Sequence, residues 1–442
     1  MDTLPLPPSP SLEQYRKRAK ALVTAAESTD SSAVRDWARG WLESLVRSLG
    51  EELTPFVRDS IGRAVKHIEE RVRDRRDGKA ATRFALADAQ YLIAEAHGFD
   101  TWSAFVQHVE EAEGKRTPGD DVELAADAVV AGDLVTLESL IRRHPELIRA
   151  RSRRVHRVTL LHYIAANGVE DFRQKTPKNA VAIARFLLES GAEVDAAADT
   201  YDGGHWQTTM NLLVSSAHPA GAGLMPALVD VLIDFGAAAN GVKADESPIM
   251  TALDFGYGDA AETLARRGAR VDNVVTAAAL GRLDLVRRFV VDRNTIAPGV
   301  PLVAPGWRNL PADPKVHIEL AFAWSCKFAR AEVAEFFIDI GVDPASKDGY
   351  DMTPLHWAAP NGMMNVVRRL LAAGAPLEVL NRWGGTVLNS TIHFAIYMPV
   401  KDVDYPAVLE TLIAAGANVN VAYPSGDERV DAQLRRHGAG RG

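Results

Sequence analysis

Residues 353–362 read TPLHWAAPNG, and 33 positions after Thr353 the chain reaches Thr386 and opens the phrase again as TVLNSTI. TLLHYIAANG at 159–168 is a near copy, and SPIMTALDFG at 247–256 keeps the Ser-Pro start and the closing Gly. TTMNLLV at 208–214 is a further opening, and Asn211 and Asn389 stand where His356 stood. Each opening leads to an apolar second stretch such as IARFLLE, LVDVLID, VAEFFID, VVRRLLA or VLETLIA. Most of those stretches end in a Gly-Ala phrase or a variant of it: GAEVD at 191, GAAAN at 236, GARVD at 268, GVDPA at 341, GAPLE at 374 and GANVN at 416. From Gly341 to Gly374 is again 33.

One helix–turn–helix unit cannot bury its apolar face alone, so the next copy must supply the surface. Thr353 is placed to cap a first helix, with Pro354 in the first turn where no backbone donor is lost. Gly374 is placed to take the left-handed conformation that ends a second helix. Thr159 with His162, and Gly191, occupy the same positions in an earlier unit. Opening, glycine and period together resemble ankyrin repeats over most of residues 122–440. The resemblance implies roughly eight units, begun by 121–143 and closed by VDAQLRRHGAG at 430–440. In such repeats the imidazole at the fourth position of the opening bonds neighbouring backbone, which assigns His162 and His356 a structural role.

Working outward, residues 1–10 are proline-rich and expected to be disordered. Residues 11–118 read as a separate helical domain: SLEQYRKRAKALVTAAES with Ser11 as N-cap, DWARGWLESLVRSL, a helix from Pro55, and a helix–turn–helix with Gly98 at the turn. In IGRAVKHIEERVRDRRD the basic residues are answered by Glu69, Glu70, Asp74 and Asp77, which describes a salt-bridged, solvated face. EGKRTPGDDVE serves as the linker, and residues 119–442 form the repeat domain. The whole is expected to be all-α, an ankyrin-repeat solenoid preceded by a helical domain.

Composition excludes several functions. The net charge of −8 is spread evenly, with 18 Lys+Arg against 19 Asp+Glu in residues 1–118, so nucleic acid is not an expected partner. No apolar run is long enough to span a membrane. Cys326 is the one cysteine, and the proline-rich start does not fit a signal peptide, so a cytoplasmic location is expected. GxSxG, HExxH, CxxC and GxxxxGK[ST] are all missing, so no catalytic residue, metal or cofactor is assigned. GYGDAA at 256–261 fits a dinucleotide phrase only formally, because no strand precedes it.

Excursions interrupt the array near 170–179, 199–207, 215–225, 293–317 and 396–406. Insertions in solenoids often project from the binding face. They carry Trp206 and Trp307, and Trp383 lies in a loop as well. Arg173, Lys175 and Lys178 come next in the array to Tyr201, His205 and Trp206, and together these could form a cationic and aromatic pocket for an anionic group or acidic peptide, while His218 would join Arg173, Lys175 and His205 in an enzyme or sensor site. The chain is also similar to a group of bacterial ankyrin proteins, through ALADAQYLIAEAHGFDTW, ANGVEDFRQKTPKNAVAIA, AWSCKFAR and NRWGGT. That likeness implies an interaction role and carries no chemistry. The expected function is recognition of a protein partner through the concave face, hairpin tips and inserted loops. The alternative is an enzyme or small-molecule sensor built from the insertions at 170–225.

Overall fold

The computed structural model describes residues 4–7, 10–49, 53–77, 84–114, 120–152, 156–166, 175–200, 206–243, 247–303 and 310–440. They fall into two compact units, 1–238 and 239–442.

The first unit begins with helices Leu12–Glu27, Ala33–Ser48, Pro55–Asp77, Leu86–Ala96 and Trp102–Gly114. Ser11 caps the first, its Oγ accepting from Gln14 N at 3.5 Å. Leu22, Leu42, Val46, Ile93 and Phe105 lie on the inward stripes of these helices and are fully buried in one core. Within residues 1–10, for which disorder is expected, Leu4 is docked on the core. Leu4 is buried, its N–H donates to Ala96 O at 2.8 Å, and its carbonyl accepts from His97 Nδ1 at 2.8 Å. Burying one leucine and two backbone bonds offsets the entropy of ordering a short segment already stiffened by proline. The charges of Pro55–Asp77 pair mainly with neighbouring helices: Glu69 meets Arg35 at 3.2 Å, and Arg63 pairs along its own helix with Asp59 and not with the acids the sequence suggested. Arg75 meets the buried carboxylate of Asp88 at 3.1 Å and lies 3.8 Å from the Tyr91 ring centre, and Arg71 pairs with Glu95.

Helix pairs then repeat. The first unit holds Asp120–Ala131 with Leu134–Arg143, Leu160–Ala165 with Ala180–Glu189, and Thr209–Leu213 with Met225–Asp234. The opening at 160–165 is a 3-10 helix, ended by Ala166 at φ 47°. In the second unit the pairs are Pro248–Asp254 with Gly258–Arg266, Val274–Ala279 with Leu283–Phe289, Pro314–Lys327 with Ala331–Asp339, Pro354–Ala358 with Met364–Ala372, and Val387–Tyr397 with Tyr405–Ala414, followed by Glu428–Arg436. First helices of successive pairs pack on one another, as Val274–Ala279 does on Pro314–Lys327 and Pro314–Lys327 on Pro354–Ala358.

One backbone motif explains the Gly-Ala phrase. Gly374 has φ 84°, its N–H bonds Leu371 O at 3.0 Å, and Ala375 N reaches back to Leu370 O at 2.9 Å. This is the paired bonding that satisfies the last carbonyls of a helix around a left-handed residue. The alanine after the glycine is small because it is buried, as Ala375, Ala417, Ala237 and Ala269 all are. Gly191 at φ 98° repeats the arrangement.

The excursions have structure of their own. Asp199 pairs with Trp206 in the hairpin Ala197–Asp199/Trp206–Thr208. The segment 215–225 contains a short helix, Ala217–Gly221, preceded by Ser216, whose hydroxyl donates to Ala166 O at 2.8 Å. The excursion at 293–317 ends earlier than the sequence suggests. Asp313 caps Pro314–Lys327, and His317 is buried inside that helix. A second hairpin joins Val290–Asp292 to Thr295–Ile296. Two excursions close tightly on glycines. Pro177 and Asn179 leave no room for a side chain at Gly132, and Val403 leaves none at Gly362.

Candidate functional site

The repeat openings are internal. In the second unit, Thr353 Oγ1 accepts from His356 N at 3.3 Å, while His356 Nδ1 takes the Thr353 N–H at 3.2 Å and the Thr353 hydroxyl at 2.8 Å. An Nδ1 that accepts leaves the proton on Nε2. Thr159 and His162 repeat the contacts to Nδ1, at 3.3 Å from the N–H and 2.8 Å from the hydroxyl, although His162 N bonds the Thr159 carbonyl instead of its hydroxyl; there Nε2 lies 3.4 Å from Gln207 O on the following hairpin. Burial holds both imidazoles neutral, lowering their pKa to about 4. Asn389 shows why asparagine can replace the histidine. Its Oδ1 accepts from Thr386 N and Oγ1 at 3.2 and 2.7 Å, and its Nδ2 donates to Val421 O at 3.0 Å. The amide therefore offers the same acceptor and donor as the imidazole, without the titration.

A second constellation in this unit was not legible in the sequence. Lys327, at the end of Pro314–Lys327, donates its ammonium to Leu253 O at 3.0 Å and Asp254 O at 2.7 Å. A cation at the end of Pro248–Asp254 complements the negative pole of that helix. Around the ammonium stand Trp324, Phe328, Trp357 and Tyr350, with ring centres 5.1 to 5.6 Å away. Trp357 Nε1 donates to Asp348 Oδ2 at 2.9 Å, and Asp348 Oδ1 accepts from Tyr350 N at 2.8 Å. Burial raises the pKa of Asp348, opposed by those hydrogen bonds and by the charge of Lys327. The effect is mechanical. Tyr350 is fixed at a hairpin tip by its own backbone bond and by the cation beside its ring.

Trp383 then stacks on Tyr350, with centres 5.6 Å apart and planes 15° apart. Arg382 lies over the same tyrosine at 5.5 Å and donates to Gly349 O at 2.7 Å. Asn381 Oδ1 accepts from Trp383 N and Gly385 N, which sets the loop. Despite these supports the indole is 70% exposed, and Leu380 beside it is 54% exposed. Tyr397, the last residue of Val387–Tyr397, and Met398 after it are exposed as well.

Lys175 and Lys178 are exposed ahead of Ala180–Glu189, Trp206 is exposed on its hairpin, and His218 is half-buried with its pKa lowered by burial. Arg173, Tyr201, His205 and Trp307 lie outside the described residues. Cys326 is fully buried, its thiol pushed up to about 12 by burial. Among the described residues no group of three or more His, Cys, Asp or Glu could hold a metal ion, and no helix is long and apolar enough to cross a membrane.

Residues 318–423 match a family described as ankyrin repeats (3 copies). The chain contains ankyrin repeats. The threonine caps, the fourth-position His or Asn and the buried Gly-Ala ends described above are the physical content of that statement. The chain is similar to a palmitoyltransferase, AKR1, of Kluyveromyces lactis, 29% identical over 106 residues. That stretch is 21% of this chain and only 14% of the relative. The solved ankyrin repeat domain of human ASB11 is 21% identical, with 69% of this chain and 99% of that one covered at a TM-score of 0.32.

Proposed function

We infer that the array recognises a protein partner, and that Trp383 on its Tyr350 platform is a principal contact. Ankyrin repeats are in general protein-interaction modules. The observation that carries the finer reading is an indole held in place by Tyr350, Arg382 and Asn381 yet 70% open to solvent. A fixed aromatic side chain loses little conformational entropy on binding, and tryptophan is enriched among residues that dominate interfaces. Leu380, Tyr397 and Met398 extend the apolar surface available on the second unit. Lys175, Lys178, Trp206 and His218, with Arg173, Tyr201 and His205, form a secondary contact of cationic and aromatic character. The partner is met in the cytoplasm.

The test is comparative affinity capture from cells that make the protein, using wild type, Trp383→Ser and Val135→Ser as baits. Val135 is 79% exposed in the first unit and serves as a control for a generic apolar surface. A protein retained by wild type and Val135→Ser but lost by Trp383→Ser is the expected result. Equal capture by all three baits refutes the role of Trp383.

A further inference from the structure

A cleft in the first unit, remote in sequence from the repeats, has the chemistry of a ligand site. It encloses about 300 Å³ and is lined by Arg18 and Tyr15 of Leu12–Glu27, by Trp41, Ser44 and Leu45 of Ala33–Ser48, and by Pro7. Sequence spacing builds it. Tyr15 and Arg18 are three apart and share a helix face, as do Trp41, Ser44 and Leu45 on the neighbouring helix. Pro7 is held at the rim because Leu4, three residues earlier, is anchored on Ala96 and His97.

Arg18 is the unusual member. It is half-buried, with its guanidinium 6.0 Å from the Trp41 ring centre, and among the described residues it has neither a carboxylate nor a hydrogen-bond acceptor as partner. The contrast with other arginines is direct. Arg35, Arg71, Arg282, Arg429 and Arg435 all have their pKa raised, with a carboxylate partner among the causes. The pKa of Arg18 is lowered, chiefly by burial. A guanidinium that has lost part of its hydration and gained no counter-ion is a donor fork lacking its acceptor.

We propose that this cleft binds a small organic monocarboxylate with a flat apolar body, the carboxylate on Arg18 and the body against Trp41 and Leu45. The charge count selects the anion. One guanidinium in a cleft also lined by the neutral polar side chains of Gln14, Ser44 and Ser48 matches a single negative charge, whereas phosphate sites usually supply two cations or a helix N-terminus. The planar fork fits a carboxylate bidentately, and the indole accepts a ring face. The volume is at the small end for ligand pockets, which limits the body to about one ring with a short side chain.

The test uses 4-(trifluoromethyl)phenylacetate as the probe and its neutral amide as control, with the full-length protein. Binding is read from the ¹⁹F linewidth. The acid is expected to broaden with wild type, the amide not. Arg18→Met keeps the packed stem and should weaken binding about tenfold or more, the usual scale for losing hydrogen bonds to a charged group. Arg18→Lys, which keeps the charge and loses the fork, should fall between them. No broadening by the acid, equal broadening by acid and amide, or undiminished binding in Arg18→Met would each overturn the proposal. Should Arg18→Met fail to fold, phenylglyoxal labelling of wild type, mapped by mass spectrometry, decides the matter. Arg18 should be labelled, and the acid but not the amide should protect it; labelling unaffected by the acid overturns the assignment.

Discussion

Replacing His356 by asparagine should reverse its effect on stability between neutral and acid pH. The chain already uses asparagine at the equivalent position 389, where Oδ1 and Nδ2 reproduce the acceptor and donor of the ring. At pH 7.5 the variant loses some packing around a fully buried site and should cost about 1 kcal/mol. Acid changes the comparison. The pKa of His356 falls from 6.5 to about 4 on folding, so its folded form binds fewer protons than its unfolded form. Stability from the neutral ring is therefore complete above pH 6.5 and lost as pH falls toward 4, by about 2.5 kcal/mol at pH 4.5. Asparagine does not titrate. Other groups, including buried Asp348, whose raised pKa acts in the opposite sense, are common to both proteins and largely cancel in the difference. Wild type should be the more stable at pH 7.5, the two should cross at about pH 6, and the variant should lead by more than about 1 kcal/mol at pH 4.5. Urea unfolding of both proteins at half-unit pH steps, followed by far-UV circular dichroism, measures this. A stability difference that stays constant from pH 7.5 to 4.5 refutes the reasoning, because the imidazole would then not be held neutral by the fold.

His162→Asn should behave likewise in the first unit, since its pKa is also lowered to about 4, and its acid limb should flatten in the same pH window. Gly132→Ala should destabilise by about 2 kcal/mol in a urea melt, because φ is 79° and the new Cβ would lie 2.8 Å from Pro177 Cβ and Asn179 Oδ1. Lys327→Met should cost about 2 kcal/mol by removing the donor to Leu253 O and Asp254 O, while Trp383→Ser should change stability by less than about 0.5 kcal/mol. Thr353→Val removes the cap acceptor for His356 N and should cost about 1 kcal/mol by the same measurement.

The repeats were legible because their determinants are local. Thr353 caps His356 three residues on, and Gly374 turns its own helix end, so each signal recurs within one unit and announces itself by repetition. What could not be read is whatever depends on contacts between distant units. Lys327 reaches a carbonyl 74 residues earlier, and nothing in AWSCKFAR distinguishes it from a solvated lysine. Trp383 could be identified as a loop tryptophan, but its stack on Tyr350 depends on the register of neighbouring hairpins. Leu4 illustrates the opposite error: composition suggested disorder, and two backbone bonds with one buried side chain prevail over it. Nothing in SLEQYRKRAK marks Arg18 among its neighbouring charges. Its isolation emerges only when the opposing helix brings Trp41 and no carboxylate.

The most direct test of partner recognition places a photo-crosslinking amino acid at position 383, in the cell that makes the protein, with position 135 as reference. Irradiation should give a discrete crosslinked species at 383 and none at 135, and mass spectrometry should find a second polypeptide in it. No crosslink at 383, or the same species at both positions, would contradict the account.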